Sequence, residues 1–136
     1  MTDWPTWLAV AMGGSAGALL RGIIFRAIEK MGPVDGGDFA WANYGSARAT
    51  LIVNVLGSLI LGLIVGGQWE RLAHADNPWR VFWLTGLCGA LTTFSTLCAD
   101  VVALAQAGKP IHGGGVLAAH LVLGISALAL GLSLAG

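Results

Sequence analysis

Residues 81–107 read VFWLTGLCGALTTFSTLCADVVALAQA, an apolar run with one acid, Asp100, and a knot of hydroxyls, Thr92-Thr93-Phe94-Ser95-Thr96, near its middle. A membrane-spanning helix needs about 20 mostly apolar residues, and this stretch is long enough. Its centre is a poor helix. Ser and Thr side chains bond nearby backbone carbonyls and bend or interrupt the helical ladder, and Gly86 and Gly89 precede them. The reading is therefore an apolar span with a weakened middle.

Working outward, three more spans follow. Trp7 to Ile28 is one, with Arg21 and Arg26 near its end; Ala49 to Gly67 and Val116 to Leu134 carry no charge. The predicted helices are 7–28, 49–67, 81–107 and 116–134. The connections Glu29 to Arg48, Gln68 to Arg80 and Gly108 to Gly115 hold the prolines, glycines and most charges, which are turn formers. Trp4, Trp7, Trp41, Trp69, Trp79 and Trp83 fall at or near predicted helix ends, where amphipathic rings collect at the membrane interface.

Composition agrees. The chain has 136 residues, room for one domain. It is 56% hydrophobic and only 10% charged, whereas a soluble domain is typically about 25% charged. It cannot clothe a water-facing surface. Zero net charge supplies no basic field for nucleic acid. The N-terminus opens on Asp3 with no small-residue cleavage site, so no signal peptide is expected. Cys88 and Cys98 make neither a disulfide framework nor a zinc pattern, and each reads as a small buried hydrophobe. No HExxH, GxSxG, phosphate loop or dinucleotide fingerprint occurs, and no paired carboxylates lie in the spans; an enzyme has no candidate constellation.

Charges barely orient the chain. Arg71 and Arg80 fall on one side, and Arg26, Lys30, Arg48 and Lys109 on the other, a weak positive-inside bias. Insertion in both directions fits it. Gly13 and Gly17, and Gly62 and Gly66, form GxxxG pairs, and Gly57, Ser58 and Gly62 cluster on the second helix; such residues let helices pack closely in lipid. Four short helices leave little room for a pathway inside one protomer, so solute movement requires oligomerisation.

Polar groups inside a bilayer are functional candidates. Asn54 either lines an anion path with its amide donors or glues two helices by a hydrogen bond. The TTFST run either frees carbonyls as hard oxygen ligands for a cation such as Na⁺, faces an anion with its hydroxyls, or stays helical and bonds its own backbone. Phe94 is a packed aromatic or presents its positive ring edge to an anion. Arg21 snorkels to the interface or draws anions to a vestibule. Asp100 reaches an interface. His120 is a neutral, hydrogen-bonded packing residue, a pore group or a proton carrier.

Three stretches carry a family resemblance. Gly13-Gly14-Ser15-Ala16-Gly17-Ala18-Leu19-Leu20-Arg21, Thr50-Leu51-Ile52-Val53-Asn54-Val55-Leu56-Gly57-Ser58 and Gly86-Leu87-Cys88-Gly89-Ala90-Leu91-Thr92-Thr93-Phe94-Ser95-Thr96 resemble, in order, the first three helix motifs of the small fluoride channels, Fluc or CrcB. The resemblance implies an all-α, multi-pass protein of the cell's inner (plasma) membrane. It implies an antiparallel, dual-topology dimer with a second copy of the chain, the third helix broken near its middle, and two pores along the subunit interface. It implies a structural Na⁺ on the two-fold axis, held by the carbonyls of Gly89 and Thr92, and no organic cofactor. Asn54, Phe94, Ser95, Thr96 and Arg21 match the family's anion-pathway residues. The implied function is passive, selective export of fluoride. The anion is small and strongly hydrated, so a dry pore must replace water's hydrogen bonds with uncharged groups that do not trap it.

The departures are specific. The family's second pore phenylalanine is Leu97 here. A loose match of the fourth helix places His120 and Gly124 where the family has Tyr and Ser, and Cys98 and Leu128 fall where polar pore groups are expected. One reading is a homodimer with a rearranged pore, favoured because the central-site and Asn54 residues are present; the other is the pore-degenerate half of a heterodimer with a homologous subunit. A small multidrug-type coupled transporter uses a membrane-embedded Glu in its first helix, and none is found here. An assembly subunit would leave the TTFST run without purpose.

Overall fold

The computed structural model describes residues 4–32, 45–68 and 77–136. The first helix, α1, runs Trp4–Lys30, and α2 runs Gly45–Gln68. The third span, Pro78–Gln106, has two halves. We call α3 the turn Pro78–Arg80, the wider π-helical segment Val81–Cys88 and the turn Gly89–Leu91; α4 is Phe94–Gln106. The last helix, α5, is Pro110–Ala135. Among the described residues, four spans are long and apolar enough to cross a membrane, with mean hydropathies of 1.6, 2.3, 1.7 and 2.1. Their large apolar side chains point outward, Ile111 at 87% exposure among them, which suits lipid and not water. This is a multi-pass membrane protein.

The first, second and last helices exceed their sequence-predicted bounds at both ends, most of all α5, and the third span starts three residues earlier and ends at Gln106, one residue short. The glycines Gly113, Gly114 and Gly115 were expected in a loop, yet α5 begins at Pro110. Proline suits a first turn because its missing N–H is not needed there. Gly113 then lets that turn close on α4, since a Cβ would stand 3.1 Å from Val101 O. The connection shrinks to a tight turn at Gly108, whose φ of +75° favours glycine.

Glycines set the packing. A Cβ on Gly13 would strike Phe82 O, and one on Gly17 would strike Leu87 O, so α1 lies backbone to backbone on α3. Gly62 and Gly66 do the same for α2 against Leu128 and Leu132 of α5. Gly57 departs from that face and looks toward Thr92. Trp4, Trp7, Trp79 and Trp83 are exposed at helix ends, as expected of interfacial rings; Trp41 and Trp69 lie outside the described residues.

Ala47, Leu97, Leu104 and Val116 form the buried cluster joining α2, α4 and α5, with Val101 packed against it. On α4, Leu97, Val101 and Leu104 recur at helical spacing and turn inward. Phe94, Cys98 and Val102 form a neighbouring, exposed stripe. One expectation changes here. Cys98 is exposed, whereas Cys88 is the buried cysteine. Leu97 is 5% exposed and belongs to the core cluster as well as to a cavity wall.

Candidate functional site

The site is built where the third span stops being a helix. Thr92 (φ −80°, ψ 153°) and Thr93 (φ −149°, ψ 109°) are extended between α3 and α4. Extended backbone inside a bilayer must find partners for its N–H and C=O. Asn54, in mid-α2, supplies both for Thr93. The Thr93 N–H donates to Asn54 Oδ1 at 2.7 Å, and Asn54 Nδ2 donates to Thr93 O at 3.2 Å. The Asn54 amide is thus engaged across two helices, and Nδ2 retains one further hydrogen.

The Thr93 hydroxyl organises the start of α4. It accepts from Thr96 N–H at 3.2 Å, a helix cap, and lies 2.8 Å from Thr96 Oγ1 and 3.2 Å from Ser95 Oγ. Thr92 Oγ1 instead bonds back to Cys88 O at 2.9 Å. The hydroxyl run therefore divides: Thr92 serves its own helix, while Thr93, Ser95 and Thr96 form one linked cluster.

These diversions bear on Gly89 and Thr92 as cation ligands. In an α-helix the carbonyl of residue i accepts from the N–H of residue i+4. The donor due to Gly89 O is Thr93 N–H, which goes to Asn54. The donor due to Thr92 O is Thr96 N–H, which goes to Thr93 Oγ1. Both carbonyls are relieved of their helical donors by the same break. Carbonyl oxygens are the hard, uncharged ligands that suit an alkali cation, so the residues fit a Na⁺.

Two recesses flank the break, the first mostly apolar with a few polar groups and the second mixed. One, about 400 Å³, is lined by Asn54, Ser58, Thr92, Thr93, Phe94 and His120 among others, with Leu97 and Gly124 in its wall. The second, about 430 Å³, is lined by Arg21, Thr93, Ser95 and Thr96 with Ala18, Gly22 and Phe25. The expected anion-pathway residues are thereby split, Asn54 and Phe94 on one side and Arg21, Ser95 and Thr96 on the other. Thr93 lines both. Phe94 is 74% exposed, so its ring stands at the open side of the first recess and packs no core. Arg21 is half-buried and makes no ion pair among the described residues.

His120 is 7% exposed. Its Nδ1 lies 2.8 Å from Val116 O on its own helix. Ser58 Oγ donates to Asn54 O at 2.8 Å, and Gly124 faces Ser58. Asp100 does not reach an interface alone. Its carboxylate accepts from Ser46 Oγ at 2.8 Å and faces the fully buried Thr50 hydroxyl at 2.8 Å. That latch between α2 and α4 was missed in the sequence. Its signal was an acid in an apolar span with Ser and Thr one turn apart on a neighbouring helix.

Residues 8–132 match the family described as CrcB-like protein, Camphor Resistance (CrcB). The chain is 35% identical to a protein of Yersinia pseudotuberculosis over 82% of this chain and 79% of that one. It is 33% identical to one of Nitrobacter hamburgensis over 96% and 95%. It is 34% identical to one of Escherichia coli O1:K1 / APEC over 90% and 88%. All three relatives bear the name fluoride-specific ion channel FluC.

Proposed function

The chain belongs to the CrcB-like family, and on that premise we propose that it is a fluoride-selective channel of the plasma membrane. It passively exports fluoride. Its named relatives are ion channels and not enzymes. The observation that carries the reading in this chain is the Asn54–Thr93 clamp, which holds non-helical backbone at mid-span between two recesses that both reach Thr93.

The chemistry follows from the ligand. Fluoride entering a narrow path loses water and must meet hydrogen-bond donors. The free Asn54 Nδ2 hydrogen, the Ser95 and Thr96 hydroxyls and the Phe94 ring edge are such donors, and none carries a full charge. Weak, multiple sites let an ion leave as readily as it enters. Arg21, beside Ser95 and Thr96, supplies a positive potential that gathers anions without contacting them throughout their passage.

One protomer completes neither recess. The exposed stripe of Phe94, Cys98 and Val102 is the surface against which an antiparallel second copy closes the two pathways. At that two-fold, Gly89 and Thr92 carbonyls from each copy hold a structural Na⁺, which contributes fixed positive potential and joins the protomers. The third span's interruption is then the family's broken helix.

The test is fluoride efflux from liposomes holding this chain alone, read by a fluoride electrode beside a chloride control. Fast fluoride loss without chloride loss is expected. Silence from a folded, inserted dimer would overturn the self-sufficient channel in favour of a heteromeric half.

A further inference from the structure

α1 meets α3 where the helical ladder of α3 changes width. A Cβ on Gly13 would strike Phe82 O and stand 3.0 Å from Leu87 N. Those atoms belong to residues five apart within the π-helical segment, the acceptor and donor of a π rung. A Cβ on Gly17 would strike Leu87 O and stand 3.1 Å from Leu91 N. Those residues are four apart, the ends of an α rung. The ladder is α at Cys88 too, whose carbonyl accepts from Thr92 N–H at 3.1 Å. Gly13 therefore covers a π rung, and Gly17, one turn along α1, covers an α rung that starts from the same Leu87. Gly86 completes the contact, since a Cβ there would stand 2.9 Å from Gly13 Cα and 3.0 Å from Val10 O.

In glycine a hydrogen takes the direction of the missing Cβ. Gly13 and Gly17 thus each aim a Cα–H at a carbonyl of α3, a contact that recurs at helix–helix interfaces. A π ladder is rare and takes more residues into each turn than an α ladder does. Val81–Cys88 holds no proline that would force a departure from the α-helix. The support comes from α1, whose bare backbone accepts the displaced Phe82 carbonyl.

The consequence lies beyond the segment. With an α ladder over the same residues, everything after Leu87 would be turned about the helix axis by about one residue's step, roughly 100° at 3.6 residues per turn. The Thr93 peptide would then leave the face that meets Asn54. We infer that Gly13 and Gly17 are positioning residues: they hold α3 in its π register, and that register presents the Thr93 peptide to Asn54. This goes beyond the channel reading and rests on it only for flux.

The experiment is solid-state ¹³C–¹⁵N NMR of the full chain in liposomes. Two contacts are read, Phe82 carbonyl carbon to Leu87 amide nitrogen and Thr93 carbonyl carbon to Asn54 Nδ2. Both are expected in the wild type, and Gly13→Ala and Gly17→Ala should lose both together. Gly62→Ala controls for destabilisation alone. Its Cβ strikes Leu128 O, in the contact of α2 with α5, so it should melt earlier and keep both. Deleting Trp83 alongside Gly13→Ala takes out the additional residue, restores the phase in an α ladder and should recover the Thr93–Asn54 contact. That double variant decides the matter even where the single ones do not fold. A wild type that pairs Phe82 with Gly86, glycine variants that lose the first contact and keep the second, a Gly62→Ala that loses both, or a deletion that recovers nothing would each overturn the inference. Efflux from the same samples separates the two readings. Flux in a wild type without the Phe82–Leu87 contact removes the inference and keeps the channel. Contacts that respond as expected in a chain without flux keep the inference and remove the channel.

Discussion

The Asn54 side-chain amide and the Thr93 peptide pair head to tail, Thr93 N–H donating to Oδ1 at 2.7 Å and Nδ2 donating to Thr93 O at 3.2 Å. The pair imitates one rung of a β-ladder inside a helical membrane protein. It explains how extended backbone persists in the span, because one side chain satisfies both the N–H and the C=O of Thr93.

Substitution at Asn54 should therefore damage structure and conduction together. Asn54→Asp sets an acceptor-only oxygen against Thr93 O and removes the remaining donor. Asn54→Ala leaves the Thr93 N–H without its partner, a cost of about 1–3 kcal/mol. Both variants are expected to lose thermal stability in detergent, Asp more than Ala, and to lose fluoride efflux. Near-normal flux from a folded Asn54→Asp dimer would contradict the role.

Phe94 and Leu97 should separate function from stability. Phe94→Ala removes a ring that packs no core within its own chain, so the fold of the protomer should hold. Efflux should fall, because the positive ring edge no longer faces the anion. Leu97→Ala empties a site packed on Ala47, Leu104 and Val116. It should cost about 2–5 kcal/mol, read as a lower melting temperature. A stable, poorly conducting Leu97→Ala would reverse the assignment.

The difference between those two positions was not legible in the sequence. A helix advances by a fixed angle per residue, but the extended Thr92 and Thr93 interrupt that phase, and α4 begins anew at Phe94. No periodicity carried across the break tells which of Leu97 and Cys98 turns inward. The four apolar spans were legible because lipid demands them. The start of α5 was not, since Gly113 to Gly115 look like breakers until Gly113 is seen against Val101 O. Asn54 was readable as a buried amide, but its partner is a peptide group 39 residues away, which only the fold identifies.

Glycine packing gives a prediction with its own control. A Cβ on Gly17 would meet Leu87 O, a backbone atom that cannot swing aside, while one on Gly14 meets nothing within 4 Å. Gly17→Ala is expected to lower stability by about 1–3 kcal/mol through overpacking. Gly14→Ala should be neutral or slightly stabilising, since alanine favours the helix by up to about 1 kcal/mol. Equal melting temperatures for the two variants would mean that α1 does not lie on α3 as described.

Sodium removal tests the last link, from the clamp to the cation. Gly89 O and Thr92 O lose their helical donors because Thr93 N–H goes to Asn54 and Thr96 N–H goes to the Thr93 hydroxyl. Those bonds lie within one chain. On the proposed reading the two carbonyls take up the cation, and Na⁺ should bind the dimer without refolding the span. Replacing Na⁺ by a large organic cation is expected to lower the melting temperature of the wild-type dimer and favour its dissociation. Thr93→Val should blunt that dependence, because without the hydroxyl Thr96 N–H is released toward Thr92 O and competes with the ion. Dimer melting that ignores Na⁺ in the wild type would remove the cation from the structure, while leaving the Asn54–Thr93 pair intact.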